Sequence, residues 1–309
     1  MLALALAALH TDAALAAMSQ AAGRADLAEL RLDLMAEFDL PRLLAGRPLP
    51  VIVTCRPRRE GGQWQGSEAE RLAVLRQAAA LGADYVDLEW DAAHEIASLD
   101  RSRTRVILSR HRFDAMPADL AAQAERLWAA GADAVKLVGM ARGLADCAPA
   151  LRLLAEATRP TIAIAMGEHG LLTRVLALRY PNALLSFAAP DPSGPAGGTA
   201  PGQITLGAML DLYRVRAISE RTRQIGLLAP DANVSPLLPE GNRWLARQGL
   251  DAVLLPLQPA PGENGPAAAK ALNAVAPFAA MLDDPASAAD LIDVLGWLAE
   301  RWQGEASHG

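Results

Sequence analysis

The chain has 309 residues, is 52% hydrophobic and carries a net charge of −6. Its charges are spread without a basic run longer than two arginines, which argues against nucleic acid as a partner. Cys55 and Cys147 form neither a disulfide framework nor a zinc-binding spacing, so we expect a reducing, cytoplasmic compartment and no metal site. The apolar start, residues 1–9, is too short to span a bilayer, so we expect a buried strand there, rather than a signal peptide, and no membrane partner.

Short apolar runs alternate with alanine-rich stretches over the first 217 residues, a pattern typical of parallel strands joined by crossover helices. The predicted strands are 2–9, 27–33, 50–55, 84–89, 105–109, 133–137, 161–165 and 183–187. The predicted helices lie near 12–21, 39–45, 67–80, 91–99, 117–129, 143–156, 168–180 and 205–217. Eight such units predict a (β/α)8 TIM barrel. A doubly wound open sheet is the alternative, but no Gly-x-Gly-x-x-Gly follows any strand.

The repeated Gly-Ala-Asp at 82–84 and 131–133 supports this count of units. Glycine suits a left-handed residue at the end of a helix, so each repeat marks a helix end followed by a strand.

Lys136 lies in the middle of the predicted strand 133–137. The chain contains two lysines, Lys136 and Lys270, against 27 arginines. A desolvated lysine can lose its proton and become an amine nucleophile, which arginine cannot readily do. Lys136 is therefore the first catalytic candidate, and the alternative is a structural lysine whose ammonium group reaches water.

Polar residues occupy one face of several predicted strands. The period of two places together Glu29, Arg31 and Asp33, then Tyr85, Asp87 and Glu89, and then Ser109 and His111. Barrel interiors are usually filled by branched apolar side chains, so these rows predict a polar pocket at one mouth. The alternative is an internal lattice of salt bridges without catalysis.

The Pro/Gly-rich loop 188–203 is longer than connections in compact barrels usually are. Long ordered loops at the catalytic face often act as lids. We therefore expect a lid, and a disordered insertion is the alternative.

Seven segments in this order resemble a known family: Glu29-Leu-Arg31-Leu-Asp33, Cys55-Arg56 with Glu60-Gly-Gly, Asp87-Leu-Glu89, Ser109-Arg-His111-Arg-Phe113, Gly131-Ala-Asp133 through Lys136, Thr173-Arg174, and Ala200-Pro-Gly-Gln203. Together they resemble type I 3-dehydroquinate dehydratase over about residues 1–217. The resemblance implies a cofactor-free lyase that converts 3-dehydroquinate into 3-dehydroshikimate.

The resemblance also implies the roles of three catalytic residues. Lys136 would form an imine with the C3 ketone of the substrate, and His111 would act as the general acid and base. Glu60 would orient the histidine. If His111 is the base, we expect activity to fall below its reference pKa of about 6.5.

The remaining residues implied by the resemblance bind the substrate. Arg174 would clamp its carboxylate, because a planar guanidinium can bind both oxygens. The other binding residues would be Glu29, Arg31, Arg56, Thr199 and Gln203. Thr173 and Thr199 stand where the family commonly has serine, an exchange that keeps the hydroxyl.

Residues 218–309, the C-terminal module, exceed what the dehydratase barrel needs. They faintly resemble the start of a shikimate dehydrogenase substrate domain, but the Val-Thr-x-Pro-x-Lys segment that supplies the lysine of that enzyme is missing. We expect a small α/β module without dehydrogenase activity, used in homodimer contacts or in binding a substrate or effector. Its last predicted helix, 286–302, carries an apolar stripe of Leu291, Val294, Leu295 and Leu298, suited to the barrel or a second subunit.

Two other functions remain open from the sequence. One is a different Schiff-base lyase or aldolase on the same barrel. The other is a non-catalytic sensor that retains the pocket and binds related metabolites.

Overall fold

The computed structural model describes residues 1–192, 194, 196–200, 202–283 and 285–306, the last three of these by their backbone alone. Its first eight strands are β1 (Leu2–Leu6), β2 (Leu27–Arg31), β3 (Val51–Thr54), β4 (Tyr85–Glu89), β5 (Arg105–Arg112), β6 (Ala134–Met140), β7 (Thr161–Met166) and β8 (Ser186–Ala188). They form one parallel sheet in the order β7-β6-β5-β4-β3-β2-β1-β8. A bridge between Thr161 and Ala183 brings the segment before β8 against β7. The sheet thus closes into the predicted (β/α)8 barrel.

The barrel helices are α1 (Thr11–Ala21), α2 (Leu40–Gly46), α3 (Glu68–Ala80), α4 (Leu120–Ala129), α5 (Cys147–Glu156) and α6 (Leu171–Leu176). Two of the predicted helices are present but are not α-helices. The segment after β4 is a 3-10 helix, Trp90–Ser98, and the segment after the lid is a π-helix, Ala208–Leu212, followed by a 3-10 turn, Val215–Ala217. A 3-10 helix rises about 2.0 Å per residue against about 1.5 Å in an α-helix, so fewer residues span the crossover to β5.

The Gly-Ala-Asp repeats mark helix ends, as predicted. Gly82 and Gly131 have positive φ angles of 80° and 95°. The aspartate two residues later accepts a backbone N–H from the neighbouring strand: Asp84 from Val51 at 2.9 Å, and Asp133 from the N-terminal part of β5 at 2.8 Å. These bonds lie at the N-terminal face of the barrel, where they fix the register of the strands away from the mouth.

The interior of the barrel changes from apolar to polar along the strands. Near their N-terminal ends, the inward side chains are Leu27, Ile52, Tyr85, Ile107, Ala134 and Ile162. Two residues further along the same strands, five of the six inward positions are polar and buried: Glu29, Thr54, Asp87, Ser109 and Lys136. The apolar layer closes the bottom of the barrel, and the polar layer lies directly above it.

The C-terminal module has a sheet of its own. Strands β9 (Arg223–Leu228), β10 (Ala252–Leu257) and β11 (Ala280–Asp283) run parallel in the order β10-β9-β11. Helices α7 (Leu237–Arg247), α8 (Gly265–Asn273) and α9 (Ala288–Ala306) accompany them. The predicted small α/β appendage is therefore present.

Helix α9 packs within this module, so its expected packing on the barrel or a second subunit was wrong. Leu291, Leu295 and Leu298 are buried together with Leu254 of β10 and with α7. Val294 lies at the edge of the stripe and is 37% exposed. The apolar stripe predicted the helix correctly, but a stripe alone does not specify which surface covers it.

None of the helices in the described residues is both long and apolar enough to cross a membrane. Within the same residues, no group of three or more His, Cys, Asp or Glu side chains is arranged to hold a metal ion. Cys55 and Cys147 are both free and buried.

Candidate active site

A cavity opens at the C-terminal ends of the barrel strands, with about 510 Å³ of empty space that is partly open to solvent. Nine of its lining residues are those predicted from the sequence: Glu29, Arg31, Arg56, Glu60, His111, Lys136, Arg174, Thr199 and Gln203. The structure brings all nine together. Their roles in a reaction remain predictions.

Lys136 projects from the middle of β6 into the floor of the cavity. It is 5% exposed, and its Nζ lies 2.9 Å from Asp87 Oδ2 and 3.1 Å from Glu29 Oε1. The ring of Phe187 lies 4.5 Å from the same nitrogen. Two carboxylates and an aromatic face therefore fix the amine, so the buried cation has partners on more than one side.

His111 lies on β5, the strand next to Lys136, and contacts Glu60 from the loop after β3. Glu60 Oε2 accepts the backbone N–H of His111 at 2.6 Å and lies 3.0 Å from its Nδ1. Burial raises the pKa of Glu60 to about 7. Burial, together with the positive charges of Arg56 and Lys136, holds the pKa of His111 well below 6.5. The arrangement is a histidine oriented by a carboxylate, as a general base requires.

Arg56 lies under the cavity in a network of buried charges. It donates to Asp87 and Glu89, each at 2.7 Å, and to Ser109 at 2.7 Å. The attraction of the two carboxylates outweighs burial and raises the pKa of Arg56. Arg56 is engaged with two carboxylates, so these residues hold one another in place at the bottom of the cavity. Arg56 also lines the cavity.

Arg31 forms a two-bond pair with Asp33, at 2.9 and 2.7 Å. Asp33 lies just beyond β2, in a 3-10 turn, and also accepts the backbone N–H of Gln63 at 3.0 Å. The salt bridge that the alternative predicted for this strand thus exists between Arg31 and Asp33. Glu29 instead contacts Lys136.

Arg174 differs from the other arginines of the cavity. It is 2% exposed, and its Nε is buried without a hydrogen-bond partner. Within the described residues, no carboxylate forms an ion pair with it. Burial lowers the pKa of Arg174 from its ordinary value to about 10, against a smaller opposing effect from Glu29. A buried guanidinium without a carboxylate partner is a site for an anionic group from outside the protein.

The lid loop, residues 188–203, contributes Thr199 and Gln203 to the cavity. Gln203 Oε1 accepts the backbone N–H of Thr199 at 2.8 Å, and its Nε2 donates to Thr199 Oγ1 at 3.1 Å. These bonds close the end of the loop on itself. Pro201, part of the motif used in the sequence analysis, lies outside the described residues.

Several contributors to the site were not predicted from the sequence. Asp87 was identified as part of a polar strand face, but its contact with Lys136 was not predicted. Phe187 and Met166 also line the cavity and belong to the apolar interior. Strand periodicity placed Asp87 on a polar face of the barrel, but apolar residues give no comparable signal.

His169 follows β7. It does not line the cavity, and its side chain is 11% exposed. Its Nδ1 donates to the carbonyl oxygen of Gln258 in the C-terminal module, at 3.1 Å. His169 therefore lies at the contact between the barrel and the module.

The family model for type I 3-dehydroquinase matches residues 2–220. The chain is 40% identical over 214 residues to the chloroplastic bifunctional 3-dehydroquinate dehydratase/shikimate dehydrogenase of Arabidopsis thaliana, a match of 66% of this chain and 35% of that protein. The chain thus spans about a third of that relative. It is 34% identical over 199 residues to the 3-dehydroquinate dehydratase of Desulfotalea psychrophila, which covers 61% of this chain and 86% of the relative.

Solved structures agree with the fold. The 3-dehydroquinate dehydratase from Geobacillus kaustophilus aligns with a TM-score of 0.59 at 25% identity, over 70% of this chain and 88% of that chain. The dehydroquinate dehydratase and shikimate dehydrogenase from S. pombe is similar in fold, with a TM-score of 0.56 at 23% identity, over 83% of this chain and 52% of that chain. The model match spans most of the sequence and coincides with the barrel that carries the cavity, and the chain therefore belongs to the type I 3-dehydroquinase family.

Proposed function

We propose that this protein is a carbon–oxygen lyase that dehydrates 3-dehydroquinate to 3-dehydroshikimate through an imine on Lys136. One observation carries the proposal: a buried lysine, a histidine paired with a carboxylate, and a buried arginine that pairs with no described carboxylate line the same cavity. The reaction needs a nucleophilic amine, a proton carrier and an anion site, and these three groups supply them.

In the first step, Lys136 Nζ attacks the C3 carbonyl of the substrate, and the carbonyl oxygen leaves as water. The amine must first give up a proton. Glu29 is the nearby carboxylate that can accept it, because Asp87 already pairs with Arg56. The carboxylate of the substrate binds Arg174, which holds the ring in one orientation as the imine forms.

In the second step, His111 takes the proton from C2, and the imine accepts the electron pair as an enamine. The enamine then expels the C1 hydroxyl, which leaves as water with the proton that His111 returns. Water finally hydrolyses the imine and frees Lys136. The net change is the loss of one water, and no external oxidant or reductant is required.

Borohydride trapping tests the covalent step. Addition of borohydride to the protein with 3-dehydroquinate should reduce the imine to a stable amine and inactivate the enzyme. Peptide mapping should find the mass increase on the peptide that contains Lys136. Lys270, exposed on α8, is the internal control. An adduct on Lys270, or turnover without any adduct, would contradict the mechanism.

The pH profile tests the pair of Glu60 and His111. The raised pKa of Glu60, about 7, means that its carboxylate is lost as the pH falls through 7. His111 is protonated only well below pH 6.5. The loss of activity at falling pH is therefore expected to follow Glu60, and not the reference pKa of histidine that the sequence suggested. We expect kcat/KM to fall roughly tenfold per pH unit below about 7.

The variant Glu60→Gln should abolish this limb and move the remaining fall to lower pH, while lowering kcat. Glu125→Gln, on the exposed face of α4, is the matched control and should keep the limb in place. A limb near 7 that persists in Glu60→Gln would assign it to another group.

We also propose a domain arrangement, a cellular compartment and an oligomeric state for the enzyme. Residues 1–217 would form the dehydratase barrel, and residues 218–309 a module without dehydrogenase activity. Free, buried Cys55 and Cys147 suit a reducing, cytoplasmic compartment. The homodimer expected from the sequence remains part of the proposal.

A further inference from the structure

The C-terminal module contacts the barrel at the face that carries the cavity. The loops after β9 and β10 lie against the turn that follows β7, residues 167–170, which we call the β7 turn. Asn233 Nδ2 donates to the carbonyl oxygen of Glu168 at 2.8 Å, and His169 Nδ1 donates to the carbonyl oxygen of Gln258 at 3.1 Å. Asn233 N also donates to Gln258 Oε1 at 3.0 Å, so the two module loops support each other.

A second contact anchors the module beside the first. The carboxylate of Glu263 accepts the backbone N–H groups of Leu144 and Ala145, in the loop after β6, at 2.8 and 3.1 Å. Helix α8 also packs against α5 and the turn before it. The module is therefore joined to two adjacent loops of the catalytic face.

The β7 turn connects two parts of the cavity. Met166, the last residue of β7, lines the cavity before the turn, and Arg174 lines it after the turn. Thr173 ties the turn to the strand, because its Oγ1 donates to the carbonyl oxygen of Gly170 at 2.8 Å and accepts the N–H of Ala165 at 3.1 Å. A shift of the turn would therefore displace the start of α6 and the Arg174 guanidinium with it.

The lid contacts the same turn at Gly167. A Cβ atom on Gly202 would lie 2.3 Å from the carbonyl oxygen of Gly167, so the two backbones are in direct contact. Gly202 has a φ of 69°, a conformation that favours glycine. The β7 turn thus contacts both the module and the lid.

We propose that the C-terminal module is a positioning element for substrate binding, in which Asn233 and Gln258 hold the β7 turn where it sets the place of Arg174 and of the lid. The inference rests on the proposed function and deepens it. Asn233 and Gln258 are positioning residues, because they act through the turn and do not line the cavity. The module contributes to binding without a catalytic residue of its own.

The test removes the bond of Asn233 to the turn in the full-length protein. Asn233→Ala should raise KM for 3-dehydroquinate roughly three- to tenfold, the effect of one lost hydrogen bond, with kcat within about twofold of the unmodified chain. Asn233→Asp keeps the size of the side chain but lacks the donor, so it should raise KM at least as much. Val234→Ala is the control, because this neighbouring side chain is 80% exposed.

A purely structural role predicts a lower melting temperature with an unchanged KM, and that result in both Asn233 variants would overturn the proposal. Hydrogen exchange in the absence of substrate provides a readout that does not need activity. Faster exchange in residues 167–174 and 202–206 of Asn233→Ala supports the coupling, and exchange equal to that of the unmodified chain overturns it. If the unmodified chain shows no dehydratase activity, the proposed function fails, and the exchange result alone decides the positioning role.

Discussion

Lys136→Met is expected to abolish dehydration, with kcat lower by at least about 10⁴-fold, because no other described side chain of the cavity can form an imine. The measurement is steady-state formation of 3-dehydroshikimate. The substrate should still bind the variant, since Arg174 and the lid remain, and titration calorimetry should give a Kd within about tenfold of the KM of the unmodified chain. Lys270→Met is the matched control and should keep full activity.

The same substitution should also destabilise the protein. Glu29 and Asp87 both lie against Lys136 Nζ, and removal of one partner of a buried ion pair costs about 3 kcal/mol or more. Circular dichroism must therefore show that Lys136→Met is folded at the assay temperature. A folded variant that retains more than a few per cent of the activity would contradict the imine mechanism.

Arg174→Met is expected to lower kcat/KM about 10²-fold and to make the protein more stable. The loss of kcat/KM follows from the lost two-bond clamp on the substrate carboxylate. The gain in stability follows from the lowered pKa of Arg174: below pH 10 the unfolded chain binds this proton more tightly than the folded chain does. This fall of the Arg174 pKa from its ordinary value to about 10 corresponds to roughly 3 kcal/mol against folding, which methionine would remove.

Two measurements check this opposition of function and stability: kcat/KM for 3-dehydroquinate and the free energy of unfolding in urea near pH 7. Arg126→Met is the matched control. Its side chain is 68% exposed and pairs with Asp119 at the surface, so both quantities should change little. A destabilised Arg174→Met with normal kcat/KM would show that Arg174 supports the fold and does not bind the substrate.

The sequence alone was sufficient for the parts of the fold that repeat. Alternating apolar runs and helical stretches predicted all eight barrel strands, and the Gly-Ala-Asp repeats placed helix ends correctly because the left-handed conformation of the glycine is a local signal. Local signals were insufficient for the 3-10 helix Trp90–Ser98 and the π-helix Ala208–Leu212. The three helix types differ only in the spacing of their backbone hydrogen bonds, which residue propensities do not distinguish.

The candidate active site likewise depends partly on local sequence signals and partly on the tertiary structure. The sequence identified the residues that could carry the chemistry, because a rare lysine, polar rows on strand faces and an ordered set of motifs can be recognised without coordinates. The tertiary structure decided which of them meet. It placed Asp87 beside Lys136, left Arg174 without a carboxylate partner in the part of the chain that the structure describes, and brought Asn233 from the C-terminal module onto the β7 turn. These contacts join residues far apart in the chain, and only the closure of the barrel and the docking of the module bring them within hydrogen-bonding distance.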